Sequence, residues 1–330
     1  MRAAIIDVPG TVRVGEMPDP KAEPRCVVVR VGACGICGTD LHIADGHFPP
    51  TPYPIVPGHE FAGEIVEVGP EVDGWSVGDR VAVDPSLFCG HCDPCRAGRG
   101  NLCANWGATG DTVDGAFAEY VSVPAANCHR MPDDMTWQQG ALVEPLSCAV
   151  HGVRRIGVEA GEDFLVVGAG TMGLLVQQLL QSGGATVAVV DRDASRLGRA
   201  EALGAVATAT DVRELDTRFD AAVDATGAVP AIEAAFDSLR RGGRLLVFGV
   251  APAEARIALS PFRIYNDEIT VVGSMAVLNS YGRALDLLAN GSVVSEPLLT
   301  HTLPLSEYPA ALDLMRSGAG LKVQVVPDAR

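Results

Sequence analysis

From residue 164 onward, short apolar runs alternate with helix-patterned segments, and the turn Gly168-Ala169-Gly170-Thr171-Met172-Gly173 sits at the first junction. Strands are expected at residues 164–167, 186–190, 221–223, 244–248 and 269–273, and helices at 171–181, 194–203 and 230–239. Strands that are apolar on both faces and alternate with helices dictate a parallel sheet covered on both sides, a doubly wound nucleotide-binding domain. In that context the glycines are informative: they permit the tight turn, the approach of a pyrophosphate to the helix N-terminus and close helix–strand packing. Gly168, Gly170, Thr171, Met172 and Gly173 are therefore expected to hold a dinucleotide. At the end of the second strand stands Asp191, whose carboxylate suits both hydroxyls of an adenosine ribose; Arg192 beside it is the residue that could clamp the 2′-phosphate of NADP. Asp191 would repel that phosphate, so the expected cofactor is NAD, with NADP the alternative.

The 330 residues exceed what one core usually organises, so a second domain is expected. Residues 1–124 read as short strands (3–6, 27–31, 61–68, 80–83 and 117–123) broken by Gly and Pro, an irregular β domain. Thr136 is placed to cap a helix over 137–142, and a second helix is expected over 145–156. Two amphipathic helices, 280–289 and 306–317, and a strand at 322–326 make a tail too short to stand alone, expected to rejoin the first domain. A formal charge of −16 argues against partnership with nucleic acid or an anionic membrane surface. The amino terminus lacks the apolar core of a secretory signal, and no apolar run is long enough to span a bilayer, so a cytoplasmic protein is expected.

Cysteine usage points to metal. Nine cysteines is an odd number, and four of them, Cys89, Cys92, Cys95 and Cys103, are spaced C-x2-C-x2-C-x7-C on a loop rich in turn residues. Four thiolates close a tetrahedral shell around zinc and leave no open position, which makes the site structural; an iron–sulfur cluster or two disulfides are the alternatives. Cys26, Cys128 and Cys148 are expected to be buried thiols.

A second constellation is chemically different. Residues 32–42, Gly-Ala-Cys-Gly-Ile-Cys-Gly-Thr-Asp-Leu-His, put a thiolate, a hydroxyl and an imidazole on one glycine-rich turn. With His59-Glu60 and Glu144 they offer one sulfur, one nitrogen and one or two carboxylates, a mixed set suited to a zinc that keeps room for substrate. Singly, each has a plainer reading: His59 a satisfied core histidine, Glu60 an ion-pair partner, Glu144 an acid favoured in a first helical turn, Cys34 and Cys37 a redox pair.

Taken together, Cys-Gly-Ile-Cys-Gly-Thr-Asp-Leu-His, Gly58-His59-Glu60, the cysteine loop and Gly-Ala-Gly-Thr-Met-Gly, in this order and spacing, resemble the zinc-containing medium-chain dehydrogenase/reductase superfamily over essentially the whole chain. Glu144-Pro145-Leu146-Ser147, the nearby His151, Arg154 and Arg155, and Gly320-Leu321-Lys322-Val323 are more similar to the sorbitol (polyol) dehydrogenase branch. The resemblance implies an α/β fold: a GroES-like catalytic domain from residues 1–146 and 277–330, with a Rossmann NAD-binding domain, 147–276, inserted. It implies Cys37 and His59 as catalytic zinc ligands, Glu60 as a ligand or a close alternative to one, Glu144 as a ligand directly or through water, and Cys34 as a packing residue. Two zinc ions per chain follow, one catalytic and one structural.

The activity implied is NAD-linked oxidation of a secondary alcohol or small polyol, with Thr39 and His42 relaying the hydroxyl proton toward solvent and Phe48, Trp106 and Phe117 as candidates for an apolar wall. Where polyol dehydrogenases carry an Arg-Tyr pair after the last Rossmann strand, this chain has Ala276-Val277, which leaves room for a smaller diol, a cyclic polyol or a plain secondary alcohol. Alternatives are a threonine-type or simple alcohol dehydrogenase and, in a different class, a non-catalytic NAD- and zinc-binding protein. Residues 269–273, apolar on both faces, are expected at a sheet edge, where pairing with a second copy would give a homodimer or homotetramer.

Overall fold

The computed structural model describes residues 1–48 and 50–328, so the last two residues of the expected first domain lie outside the described ones. The chain divides into two compact units, Met1–Ser147 with Val277–Arg330, and Cys148–Ala276.

In the first unit a seven-stranded sheet runs in the order Leu299–Pro304, Lys322–Val326, Cys26–Gly35, Glu60–Val68, Arg80–Val83, Cys128–Arg130, with Tyr120–Pro124 also paired to Cys26–Gly35. Its register matters for the site: Gly35 pairs on one side with Gln324 and on the other with Glu60. The carboxyl-terminal strand is thereby laid beside the strand that leads to Cys37. Val27, Val29, Val31, Phe61, Ile65, Val81 and Val83 from these strands form the core, closed by Phe117 and Tyr308 with ring centroids 4.6 Å apart.

In the second unit six strands, all parallel, run in the order Ala207–Ala209, Thr186–Val190, Asp163–Val167, Phe219–Asp224, Leu239–Val247, Thr270–Gly273. The order reverses between Asp163–Val167 and Phe219–Asp224, which is the switch point where open α/β sheets bind ligands. Thr270–Gly273 is an edge strand with Val271 42% exposed; the buried Ile269 stands just before it.

Several boundaries differ from the sequence reading. The helix expected over 230–239 is Val229–Asp237, because Leu239 opens a strand that runs to Val247. The helix expected from 145 begins at Val143, directly after Trp137–Ala141, whose N-cap Thr136 forms a capping box with Gln139. Residues 32–42 are more than a turn: Gly38–Ala44 is a short helix with Cys37 as its N-cap. Strands Thr11–Glu16, Ala207–Ala209 and Leu299–Pro304 are additional. Ala207–Ala209 and Leu299–Pro304 lack apolar alternation, whereas Thr11–Glu16 alternates only through Val12 and Val14, too short a pattern to stand out.

Candidate active site

Cys37, His59 and Glu60 come together: one ligand atom from each lies within 4.8 Å of the others. Local structure explains how. Cys37 stands two residues past the end of the central strand and caps the helix Gly38–Ala44, its Sγ accepting from Thr39 N–H at 3.2 Å while Asp40 Oδ2 accepts from Cys37 N–H at 2.8 Å. Glu60 opens the adjacent strand, and its carboxylate lies over Gly35, where a Cβ would come within 2.2 Å of Glu60 Oε2. Only glycine fits at that position. Thr39 is half-buried and His42 exposed, three residues apart and so on one face of the short helix.

Buried charges surround the cluster. Lys322 Nζ donates to Glu60 Oε1 at 2.8 Å, to Glu60 Oε2 at 2.6 Å and to Ile36 O at 3.1 Å. Burial pushes this ammonium toward neutrality, but the charges of Glu60, Cys37 and Glu144 outweigh it and hold its pKa above the usual lysine value. Glu144 is buried in the first turn of Val143–Ile156 and stands outside the three-residue cluster. His59 Nδ1 lies 3.1 Å from Asp111 Oδ1 and 3.8 Å from Asp40 Oδ1. Burial works against the imidazolium, yet Asp111, Cys37 and Asp40 together raise the His59 pKa well above its ordinary value. Asp40 is pushed up to about 7, first by its burial and against the pull of His59. One thiol, one imidazole and one carboxylate, with Asp40 and Asp111 behind the imidazole, are a donor set that suits a divalent cation.

The four-cysteine loop is equally ready for a metal. Its sulfurs lie within 4.8 Å of one another, with Cys89–Cys103 and Cys92–Cys103 contacts of 3.5 and 3.8 Å. The edge of a tetrahedron with zinc–sulfur bonds of about 2.3 Å is about 3.8 Å, so the spacing fits. None of the nine cysteines is joined in a disulfide, which speaks against the two-disulfide alternative. Backbone N–H groups of His91 and Cys92 aimed at Cys89 lower its thiol pKa to about 6, while His91 itself is spent on Cys89 O at 2.9 Å. Of the remaining cysteines, Cys34 and Cys128 are buried, and burial pushes the Cys128 thiol up to about 12; Cys26 and Cys148 are half-buried, against expectation. Of the expected apolar-wall residues, Phe117 belongs to the core, Phe48 packs against that core and Trp106 is half-buried.

In the second unit the glycine turn has the geometry its sequence asked for. Gly168 has φ 109°, and a Cβ on Gly173 would come within 1.7 Å of Gly168 O, so helix and turn can pack this closely only with glycine at 173. A Cβ on Gly170, the N-cap of Thr171–Ser182, would meet nothing within 4 Å, so the space above the helix N-terminus is open to a phosphate. Asp191 holds the turn from behind: Oδ2 accepts from Ala169 N–H at 2.7 Å and Oδ1 from Asp193 N–H at 2.9 Å. Arg192 is exposed beside it.

Sequence reasoning assigned no role to Lys322, Asp40 or Asp111. Asp40 carried a signal that could have been used, since an acid three residues after Cys37 is the N3 partner of a capping box. For Asp111 and Lys322 the only signal is the fold.

Comparison with known proteins agrees with this geometry. Residues 23–133 match the alcohol dehydrogenase GroES-like domain, and residues 171–290 match the zinc-binding dehydrogenase domain. The chain is 39% identical to the D-altritol 5-dehydrogenase of Agrobacterium fabrum, over 90% of this chain and 91% of that one. It is 37% identical to D-arabinitol dehydrogenase 1 of Uromyces fabae, over 92% and 90% of the two chains. A crystal structure of a zinc-binding dehydrogenase from Sinorhizobium meliloti, bound to NADP, superposes with a TM-score of 0.95 at 34% identity over 99% of both chains. The chain therefore belongs to the zinc-containing medium-chain dehydrogenases of the alcohol dehydrogenase superfamily, in their polyol dehydrogenase branch.

Proposed function

We propose that this protein is a polyol dehydrogenase that uses NAD and two zinc ions per chain, with Cys37, His59 and Glu60 around the catalytic ion and Cys89, Cys92, Cys95 and Cys103 around the structural one. The observation that carries this is the cluster of the half-buried Cys37 sulfur with one buried imidazole and one buried carboxylate within 4.8 Å, distinct from an all-sulfur site elsewhere in the same unit. A mixed three-ligand set leaves a coordination position for an alcohol oxygen, whereas four thiolates leave none.

When bound, zinc polarises the alcohol oxygen and nicotinamide takes up the hydride. The protein's own residues do the rest. Thr39, on the helix that Cys37 caps, would accept the alcohol's proton while passing its own on, through the nicotinamide ribose, to the exposed His42 on the same face, which releases it to water. Glu60 is shared between the ligand cluster and Lys322, so it acts as a ligand or as a close alternative to one. Glu144, outside the cluster, acts through water. Gly168, Gly170, Thr171, Met172 and Gly173 seat the pyrophosphate, and Asp191 favours the unphosphorylated ribose of NAD over NADP, with the exposed Arg192 as the opposing influence. Cysteines outside disulfides and clustered as metal ligands suit a reducing compartment, and the cytoplasm is the proposed location. Two copies are proposed to join through the edge strand Thr270–Gly273 as a dimer or half of a tetramer.

For the substrate, the altritol and arabinitol dehydrogenases among its relatives favour an open-chain polyol. Val277 is buried, and Ala276, held at φ 44°, has no polar group to offer, so any hydroxyl recognition must come from other residues. A panel of D-arabinitol, D-altritol, sorbitol, 2,3-butanediol and L-threonine, followed at the NADH absorbance with NAD and with NADP, tests the assignment. The expected result is a kcat/KM for one of the polyols at least about tenfold above threonine, with NAD preferred. Threonine as the best substrate would move the protein to the threonine-type reading. Absence of turnover across the panel with both zinc ions bound would favour a non-catalytic binding protein.

A further inference from the structure

His59 is fixed by something the ligand cluster does not explain. Its Nδ1, Asp111 Oδ1 and Asp40 Oδ1 are all buried, and none of the three makes a hydrogen bond among the described residues, so an imidazole nitrogen and two carboxylate oxygens face one another with their hydrogen-bonding capacity unspent. Nδ1 is 3.1 Å from Asp111 and 3.8 Å from Asp40. The Asp40 carboxylate already serves the capping box through Oδ2, whereas Asp111 makes no such use of its side chain. With Nδ1 turned to these carboxylates, Nε2 is the nitrogen left for a metal.

Asp111 reaches this position because of the backbone around it. Its N–H donates to Ala108 O at 3.1 Å, and Gly110 N–H donates to Val113 O at 2.8 Å, which ties the loop into a tight turn. That turn sits directly on the residue before His59: a Cβ on Gly110 would come within 2.3 Å of Gly58 O, and one on Gly115 within 2.4 Å of Gly110 Cα. The base of the turn is the ladder Ser86–Ala108 and Leu87–Gly107, which also closes the four-cysteine loop. Three glycines without side chains thus bring one carboxylate up behind one imidazole.

We propose that Asp111 is the positioning residue for His59, accepting its Nδ1–H, fixing the tautomer and ring orientation and leaving Nε2 toward the catalytic zinc. This rests on the reading of Cys37, His59 and Glu60 as that zinc's ligands. Outer carboxylates on metal-bound histidines set metal affinity as well as orientation.

The test measures zinc affinity by chelator competition in the full-length protein, together with the visible absorption of cobalt(II) placed in the same site, which reports ligand geometry. Asp111→Leu fills the space without an acceptor, and Asp111→Asn keeps a neutral one. Asp111→Leu is expected to weaken zinc at the catalytic site by about 10- to 100-fold and shift the cobalt bands, with zinc in the four-cysteine loop retained; Asp111→Asn should fall between it and the wild type. Wild-type affinity and bands in folded Asp111→Leu would overturn the role. Should Asp111→Leu fail to fold, unchanged affinity and bands in Asp111→Asn would overturn it instead. A larger loss in Asp40→Asn than in Asp111→Asn would transfer the role to Asp40. Wild-type protein that binds zinc only in the four-cysteine loop would remove the ligand reading itself.

Discussion

At the scale of single residues, the Glu60–Lys322 pair commits two opposite charges to the interior, with both side chains almost fully buried. Removing one member of such a pair leaves an uncompensated buried charge, a loss of about 3–5 kcal/mol. Lys322→Met is therefore expected to lower the unfolding free energy of zinc-free protein by about 3–5 kcal/mol in urea, and Glu60→Gln/Lys322→Met to recover most of that loss. A single-variant loss within about 0.5 kcal/mol would mean that the pair is spent on something other than stability. The residues proposed as zinc ligands were legible because ligand types cluster in the sequence: a cysteine beside a glycine turn, a His-Glu dipeptide, four cysteines on one loop. The groups behind them were not. Asp111 is one of 41 acidic residues, and only the glycine contacts at 58, 110 and 115 distinguish it. Lys322 and Glu60 lie far apart in the chain and meet through strand register alone.

At the scale of elements, strong periodicity made the second unit readable, since five of its six strands are apolar enough to stand out from the helices between them. The short strand Ala207–Ala209 carries only alanine and threonine and gave no signal. Helix Gly38–Ala44 was hidden by the glycines around it; Cys37 as N-cap and Asp40 as N3 replace the propensity that the segment lacks. The edge strand Thr270–Gly273 was legible because an apolar run at the end of a strand–helix alternation must lie at one side of the sheet. Its exposed Val271 leaves an edge of the kind that pairs with another copy, and Phe262 and Tyr265 of the preceding helix Pro261–Asn266 are also exposed, 67% and 82%. Thr270→Lys/Val271→Lys should convert a dimer to a monomer in sedimentation velocity without loss of zinc. A wild-type monomer at micromolar concentration, or a variant that stays dimeric, would rule out pairing through this edge.

At the scale of the whole molecule, the glycine turn lies in one compact unit, and both side-chain clusters that could hold a metal fall within Met1–Ser147 of the other. The sequence announced that division through its change of texture, from irregular strands broken by Gly and Pro to regular alternation of strand and helix. What it could not announce is how the carboxyl-terminal residues enter the site, because the pairing of Lys322–Val326 with Cys26–Gly35 joins segments nearly 300 residues apart by backbone hydrogen bonds that leave no mark on composition. The division of labour between the two clusters is what the proposed chemistry depends on, and it is tested most directly by metal analysis of Cys37→Ser beside the wild type, with NADH production measured on the same samples. Two zinc ions per wild-type chain are expected, with one zinc and no turnover in Cys37→Ser. Two zinc ions and full turnover in Cys37→Ser would contradict it.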